Sequence, residues 1–203
     1  MDRNGSEILD FNYNVHNCLV ENNQFINSDG YSISEEVIDM VGGDGYYTDN
    51  NIIRGNKIIG NFQTAVRPSL SARNNIIENN YIEWRPGKTA NEALIYLYGK
   101  NSDFSTPQGN LIKNNILVGG KSGVTLSCAK SNTISGNSIN GGMNGITLTN
   151  NSIYGADLPA FENKVSDNNI HDVNCGILVQ GSPNNTISGN TIINFKKADI
   201  CRV

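Results

Sequence analysis

Asn132-Thr-Ile-Ser-Gly-Asn-Ser-Ile139 is the stretch that decides the fold, because the chain repeats it. The pattern Asn-x-Ile-x-x-Asn-x-Ile recurs at Asn51–Ile58, Asn75–Ile82, Asn110–Leu117, Asn163–Ile170 and Asn185–Ile192, and in a variant form at Cys18–Phe25. Successive copies start 33, 24, 35, 22, 31 and 22 residues apart, a base unit of 22 lengthened in alternate copies. A fixed period of this size marks a solenoid, since one short unit cannot bury its own apolar face. Each unit also holds a third apolar stretch, clearest in Gly123-Val-Thr-Leu126, Gly145-Ile-Thr-Leu148 and Gly176-Ile-Leu-Val179. These stretches are too short for helices and alternate in the manner of strands, with Gly and Asn at the corners. The unit is therefore three short strands and three turns. Stacking such units at about 4.8 Å builds a continuous Ile/Val column.

Composition agrees. Of 203 residues, 34 are Asn, 24 Ile and 21 Gly, while charged residues make up 17% and the net charge is −4. A nucleic-acid binder would show a basic stripe, which is missing, so no nucleic-acid partner is expected. No apolar run reaches the length of a membrane span, and the opening MDRNGSEILDF has no signal-peptide pattern. The second repeat Asn falls at Asn23, Asn56, Asn80, Asn115, Asn137, Asn168 and Asn190. Asn tolerates left-handed backbone, and stacked amides can form a ladder, so these residues read as corners and not as ligands.

The repeat resembles that of the right-handed parallel β-helix proteins of the pectin-lyase-like superfamily, over residues 17–203. The expected fold is all-β: a single-stranded right-handed parallel β-helix of about seven coils, preceded by a partial coil or cap in residues 1–16. The resemblance implies right-handedness, an extended polysaccharide as ligand, and an extracellular or virion-surface location. It carries no catalytic residue across. The paired aspartates and His-Gly of polygalacturonases, the Asp-Pro-His-Glu of alginate epimerases and the Asp-His of pectate lyases are all missing. No terminal cap is evident beyond Val203, so a longer parent chain or a homotrimer of tailspike type is expected to cover the open ends.

Stacking turns outward residues into columns. Glu21, Arg54, Glu78 and Lys113 alternate in sign along one column, as cross-strand pairing favours on an exposed face. The third strand gives Asp39, Arg67, Tyr96, Thr125, Thr147 and Leu178. Inserts at 40–50, 98–109 and 149–161 follow this strand, and another at Arg85–Glu92 precedes it, so a groove is expected beside Arg67. Asp39, Arg67 and Tyr96 are the candidate catalytic residues, with Tyr46, Tyr47, Trp84, Arg85 and Tyr98 as substrate-binding candidates. In β-elimination, Arg67 would neutralise a uronate carboxylate and Tyr96 would serve as base or acid. In hydrolysis, two carboxyls among Asp39, Asp44, Asp49, Glu83, Glu92 and Asp103 would flank the bond.

The expected function is binding and cleavage of an extended acidic polysaccharide, with a non-catalytic glycan-binding shaft as the alternative. No cofactor is required, although an oxygen-rich loop at Asp44 and Asp49 could take Ca2+. The four cysteines, at 18, 128, 175 and 201, fall at unlike positions of the repeat and are expected to be free thiols.

Overall fold

The computed structural model describes residues 7–27, 32–43, 45–100, 106–150 and 158–203. Seven coils stack, each contributing one strand to each of three parallel sheets. The first sheet runs Leu19–Glu21, Ile52–Arg54, Ile76–Glu78, Leu111–Lys113, Thr133–Ser135, Lys164–Ser166 and Thr186–Ser188. The second follows the same coils through Gln24–Ile26, Lys57–Gly60, Tyr81–Trp84, Ile116–Val118, Ser138–Asn140, Asn169–His171 and Thr191–Ile193. The third holds Ile33–Val41, Phe62–Ser69, Ala93–Tyr98, Ser122–Ser127, Asn144–Thr149, Cys175–Gln180 and Ala198–Arg202. Leu9–Asn12 adds an eighth strand to this last sheet by pairing with Ile38–Val41. The chain is thus a right-handed parallel β-helix, and the repeat register is the coil register.

The interior is a column of aliphatic side chains. Ile53, Ile77, Ile112 and Ile134 fill it from the first sheet, Ile58, Ile82, Leu117 and Ile139 from the second, all fully buried. Burying one such side chain stabilises the fold by roughly 1.5–3 kcal/mol. Both Asn positions form ladders. Asn80 donates from its backbone N–H and from Nδ2 to Asn115 Oδ1, each at 3.0 Å, and Asn115 repeats this toward Asn137 at 2.9 and 3.0 Å. The left-handed backbone belongs to the residue before each ladder Asn, such as Asn50, Asn79, Asn114 and Gly136, and not to the ladder residue itself. That residue turns the corner, and the next amide then points along the stack.

The third strand departs from strict alternation. A Cβ on Gly145 would lie 2.4 Å from Ile170 Cγ2, so Gly145 faces the core, and so does its neighbour Ile146. The same holds for Val37-Ile38, Ala65-Val66 and Leu94-Ile95, all of them in the core cluster. Two successive inward residues bend the strand, with a side chain facing outward on each side of the bend. The outer surface therefore has a second row, Glu36, Thr64, Ala93, Ser122, Asn144, Cys175 and Ala198, three residues before the Asp39–Arg67–Tyr96 row.

The bend brings these rows together diagonally, from one coil to the next. Glu36 meets Arg67 at 2.6 Å, Ser122 Oγ meets Thr147 Oγ1 at 3.2 Å, and Cys175 is disulfide-bonded to Cys201. The expectation of four free thiols is thereby corrected. Cys175 and Cys201 occupy different rows, yet their Cα atoms are 6.2 Å apart, while Cys18 and Cys128 are free.

Candidate functional site

The bent outer face of the third sheet carries two adjoining depressions, of about 190 and 200 Å³, that share Glu92 and Tyr96. The first is lined by Arg67, Ser69, Leu70, Tyr98 and Lys100, the second by Lys121, Ser122, Thr125, Asn144, Thr147 and Gln180 among others. Together they form one shallow trough that crosses successive coils. Its floor changes from charged and aromatic to hydroxyl and amide as it runs toward the C-terminal coils.

Arg67 is fixed at the charged end. Its guanidinium pairs with Asp39 through Nη2 at 3.0 Å and Nε at 3.2 Å, and with Glu36 through Nη1 at 2.6 Å. Burial works against its charge, but the hydrogen bonds and fields of Asp39, Glu36 and Glu92 outweigh that and hold Arg67 more firmly protonated than usual. Glu36 is fully buried, and this raises its carboxyl to about 8; Arg67 opposes the rise, while Asp39, Glu35 and Glu7 add to it. Burial also pushes the Tyr96 hydroxyl up to about 12, with Glu92 reinforcing the effect and a hydrogen bond to Ser127 opposing it.

Asp39, Arg67 and Tyr96 do stand on three successive coils. Both acid-facing edges of Arg67 are occupied by protein carboxylates, so it is not a free counter-charge for a uronate. The Tyr96 hydroxyl, pushed up to about 12, is present at neutral pH as the proton donor and not as the phenolate base. Tyr98 lines the trough and packs edge-on against Tyr96, with ring centroids 5.8 Å apart. Both residues are buried, so neither ring stands open to solvent as a stacking platform.

The other four binding candidates lie outside the trough. Trp84 packs against the core and donates its indole N–H to the Phe62 carbonyl at 3.1 Å, which makes it a pin for the loop. Arg85 pairs with Glu83 at 3.0 Å on the adjoining surface. Tyr47 lies under the Arg73 guanidinium, 3.9 Å from ring centroid to Cζ, and Tyr46 contacts Tyr13 edge-on. Those two rings belong to the turn after the third strand, on a different side from the trough. Asp44 and Asp103 lie outside the described residues, and Asp49 is paired with His16.

Column reasoning missed Lys100, Lys121, Ser122, Asn144, Thr149 and Gln180. The signal was present for two of them. Gly123-Val124 and Gly145-Ile146 mark the bend, and the residue before each Gly (Ser122 and Asn144) faces the trough, as Cys175 faces the same surface before Gly176.

Among known proteins, the family described as periplasmic copper-binding protein (NosD) matches residues 87–201. No curated protein matches the chain. The family match spans more than half of the sequence and takes in five of the seven coils in whole or part, those that build most of the trough, so the chain belongs to the NosD family of parallel β-helix proteins.

Proposed function

We propose that this protein binds an extended glycan along the trough and holds it without cleavage by β-elimination. The carrying observation is the continuity of the two depressions across successive coils through Glu92 and Tyr96. A rigid stack that repeats hydroxyl and amide groups every coil offers hydrogen bonds at a regular spacing, which suits a ligand that is itself a repeat. The lining of the trough carries the cations Arg67, Lys100 and Lys121 and the single carboxylate of Glu92, so it favours chains carrying carboxylates over purely neutral ones. The family description adds copper and the periplasm. The Cys175–Cys201 disulfide supports an oxidising compartment such as that one.

Copper fits the described residues poorly. It favours imidazole, thiolate and thioether donors gathered at one point. Here His16 pairs with Asp49, and His171 with Asp172 at 2.8 Å, on separate surfaces. The Cys128 thiol donates to the Leu158 carbonyl at 2.9 Å, and Met40 is buried in the core. Among the described residues the one grouping of three ionisable donors is all carboxylate.

The test is calorimetry of the full chain against uronate-containing and neutral oligosaccharides, with unsaturated products and reducing ends followed in parallel. Binding of a uronate chain is expected, weakened by Lys121→Glu and by Thr147→Trp, which fills the trough. Binding unchanged in both variants would place the ligand elsewhere. Unsaturated product that disappears in Arg67→Lys would overturn the non-lytic reading.

A further inference from the structure

The outer face of the N-terminal coils holds a group of acids that the trough leaves unused. Carboxylate oxygens of Glu7, Glu35 and Glu36 all lie within 4.8 Å of one another. Asp10 and Asp39 are register neighbours on the adjoining strands; Asp39 adds its field to Glu36, and Glu7 and Asp39 add theirs to Asp10. Arg67 is the cation placed against them, and it pairs with Glu36 and Asp39. Five carboxylates facing one guanidinium repel one another strongly in a partly dry setting.

Burial is a second and independent observation. Glu36 has no exposed surface, and although Arg67 Nη1 sits 2.6 Å from Oε1, neither carboxylate oxygen accepts a well-directed hydrogen bond. Oε2 is left with no partner among the described residues. Thr64 is the register partner of Glu36 on the next coil and faces the same outer surface. It too is fully buried, and its hydroxyl has no partner. Orphaned oxygens in such places cost free energy, more so when one carries charge. The two stand at register-paired positions on adjacent strands, and with the carboxylates of Glu7 and Glu35 they offer oxygen donors only. Hard divalent cations take such oxygens, carboxylate and neutral together, whereas soft metals prefer nitrogen and sulfur.

We propose that Glu7, Glu35 and Glu36 bind a divalent cation of the calcium class, with the Thr64 hydroxyl beside it. Glu7 precedes the first strand, whereas Glu35 and Glu36 lie in the strand Ile33–Val41 that the first strand pairs with. The ion therefore clamps the N-terminal segment onto the first full coil. It is separate from the trough, whose nearest lining residue, Arg67, touches the site through Glu36.

The experiment is titration of CaCl2 into chelator-stripped protein by calorimetry, with melting curves recorded with and without the ion. One ion per chain is expected, with a melting temperature that rises as the ion binds the native state. Glu35 is exposed, so Glu35→Gln leaves the fold intact by circular dichroism, and it should weaken affinity about tenfold or more by removing a charged ligand. Glu36→Gln should do the same and abolish the thermal shift. Absence of both heat and thermal shift at millimolar Ca2+ overturns the proposal. So does Ca2+ binding left unchanged in the folded Glu35→Gln protein, or a site that takes Cu2+ and ignores Ca2+.

Discussion

Asn115→Ala tests how much of the stack the amide ladder holds. Asn115 is fully buried at the middle of the second ladder. Its Oδ1 accepts from the backbone N–H and Nδ2 of Asn80, both at 3.0 Å, and its Nδ2 donates to the Ile77 carbonyl at 2.9 Å and to Asn137 Oδ1 at 3.0 Å. Truncation removes all four bonds. The Asn80 N–H is left without an acceptor where water cannot follow, at about 1–3 kcal/mol. The other three each contribute about 0.5–1.5 kcal/mol, since Asn80 Nδ2 keeps the Ile53 carbonyl and Asn137 Oδ1 keeps the Asn115 N–H. The expected loss is about 3–6 kcal/mol, read from urea midpoints by far-ultraviolet circular dichroism at unchanged slope. Asn190→Ala is the control. That residue makes a similar set of bonds, accepting from Asn168 at 3.0 and 2.9 Å and donating to Val165 at 3.0 Å, but at a partly exposed end of the ladder. Water can replace its bonds, and the loss should stay near 1 kcal/mol. Equal losses in the two variants would refute the reasoning, because the difference rests on burial and not on bond number.

Reduction of the native protein should raise the thiols open to alkylation after unfolding from two to four, and Cys175→Ser with Cys201→Ser should cost about 3 kcal/mol for a loop of 26 residues. Stability should also depend on pH through Glu36. With its carboxyl raised from 4.5 to about 8, the native state holds more protons than the unfolded chain between those values. The contribution of Glu36 is then complete below pH 4.5 and is lost as pH rises toward 8, by on the order of 4 kcal/mol. Urea melts in chelator should show that slope in the parent and a flatter profile in Glu36→Gln. Gly145→Ala should cost about 2 kcal/mol or more, because the new Cβ meets Ile170 Cγ2 at 2.4 Å and the Gly176 carbonyl at 2.6 Å. An unchanged melting temperature there would mean the bend can relax outward.

The coil architecture was legible because its causes are local and periodic. An Asn at a fixed place, an Ile two residues on and a left-handed residue just before the Asn are enough to mark each corner. The exposed column was legible for the same reason: Arg54–Glu21 at 2.8 Å and Lys113–Glu78 at 3.1 Å are the neighbours that straight stacking implies. The aromatic candidates were not legible. Nothing in the order of residues says that Trp84 turns its indole to a carbonyl of the coil below or that Tyr47 lies under Arg73. Those placements depend on how each insert folds back, which follows no repeat.

The acids and the cysteines show a more specific gap. Column reasoning compares residues at the same position of successive coils, and on flat strands that comparison is sufficient. The third strand is bent by two successive inward residues, so its outward residues converge on a diagonal, one coil up and three positions along. Glu36 with Arg67, Ser122 with Thr147, and Cys175 with Cys201 all obey that one displacement. An ion pair, a hydroxyl contact and a covalent bond share little chemistry, so the common geometry belongs to the backbone. The Gly-Ile and Gly-Val pairs that cause the bend are visible in the sequence at 123, 145 and 176. Read as bends and not as alternation, they pair Cys175 with Cys201, and the same register carried back to Val37-Ile38 and Ala65-Val66 sets Glu36 against Arg67.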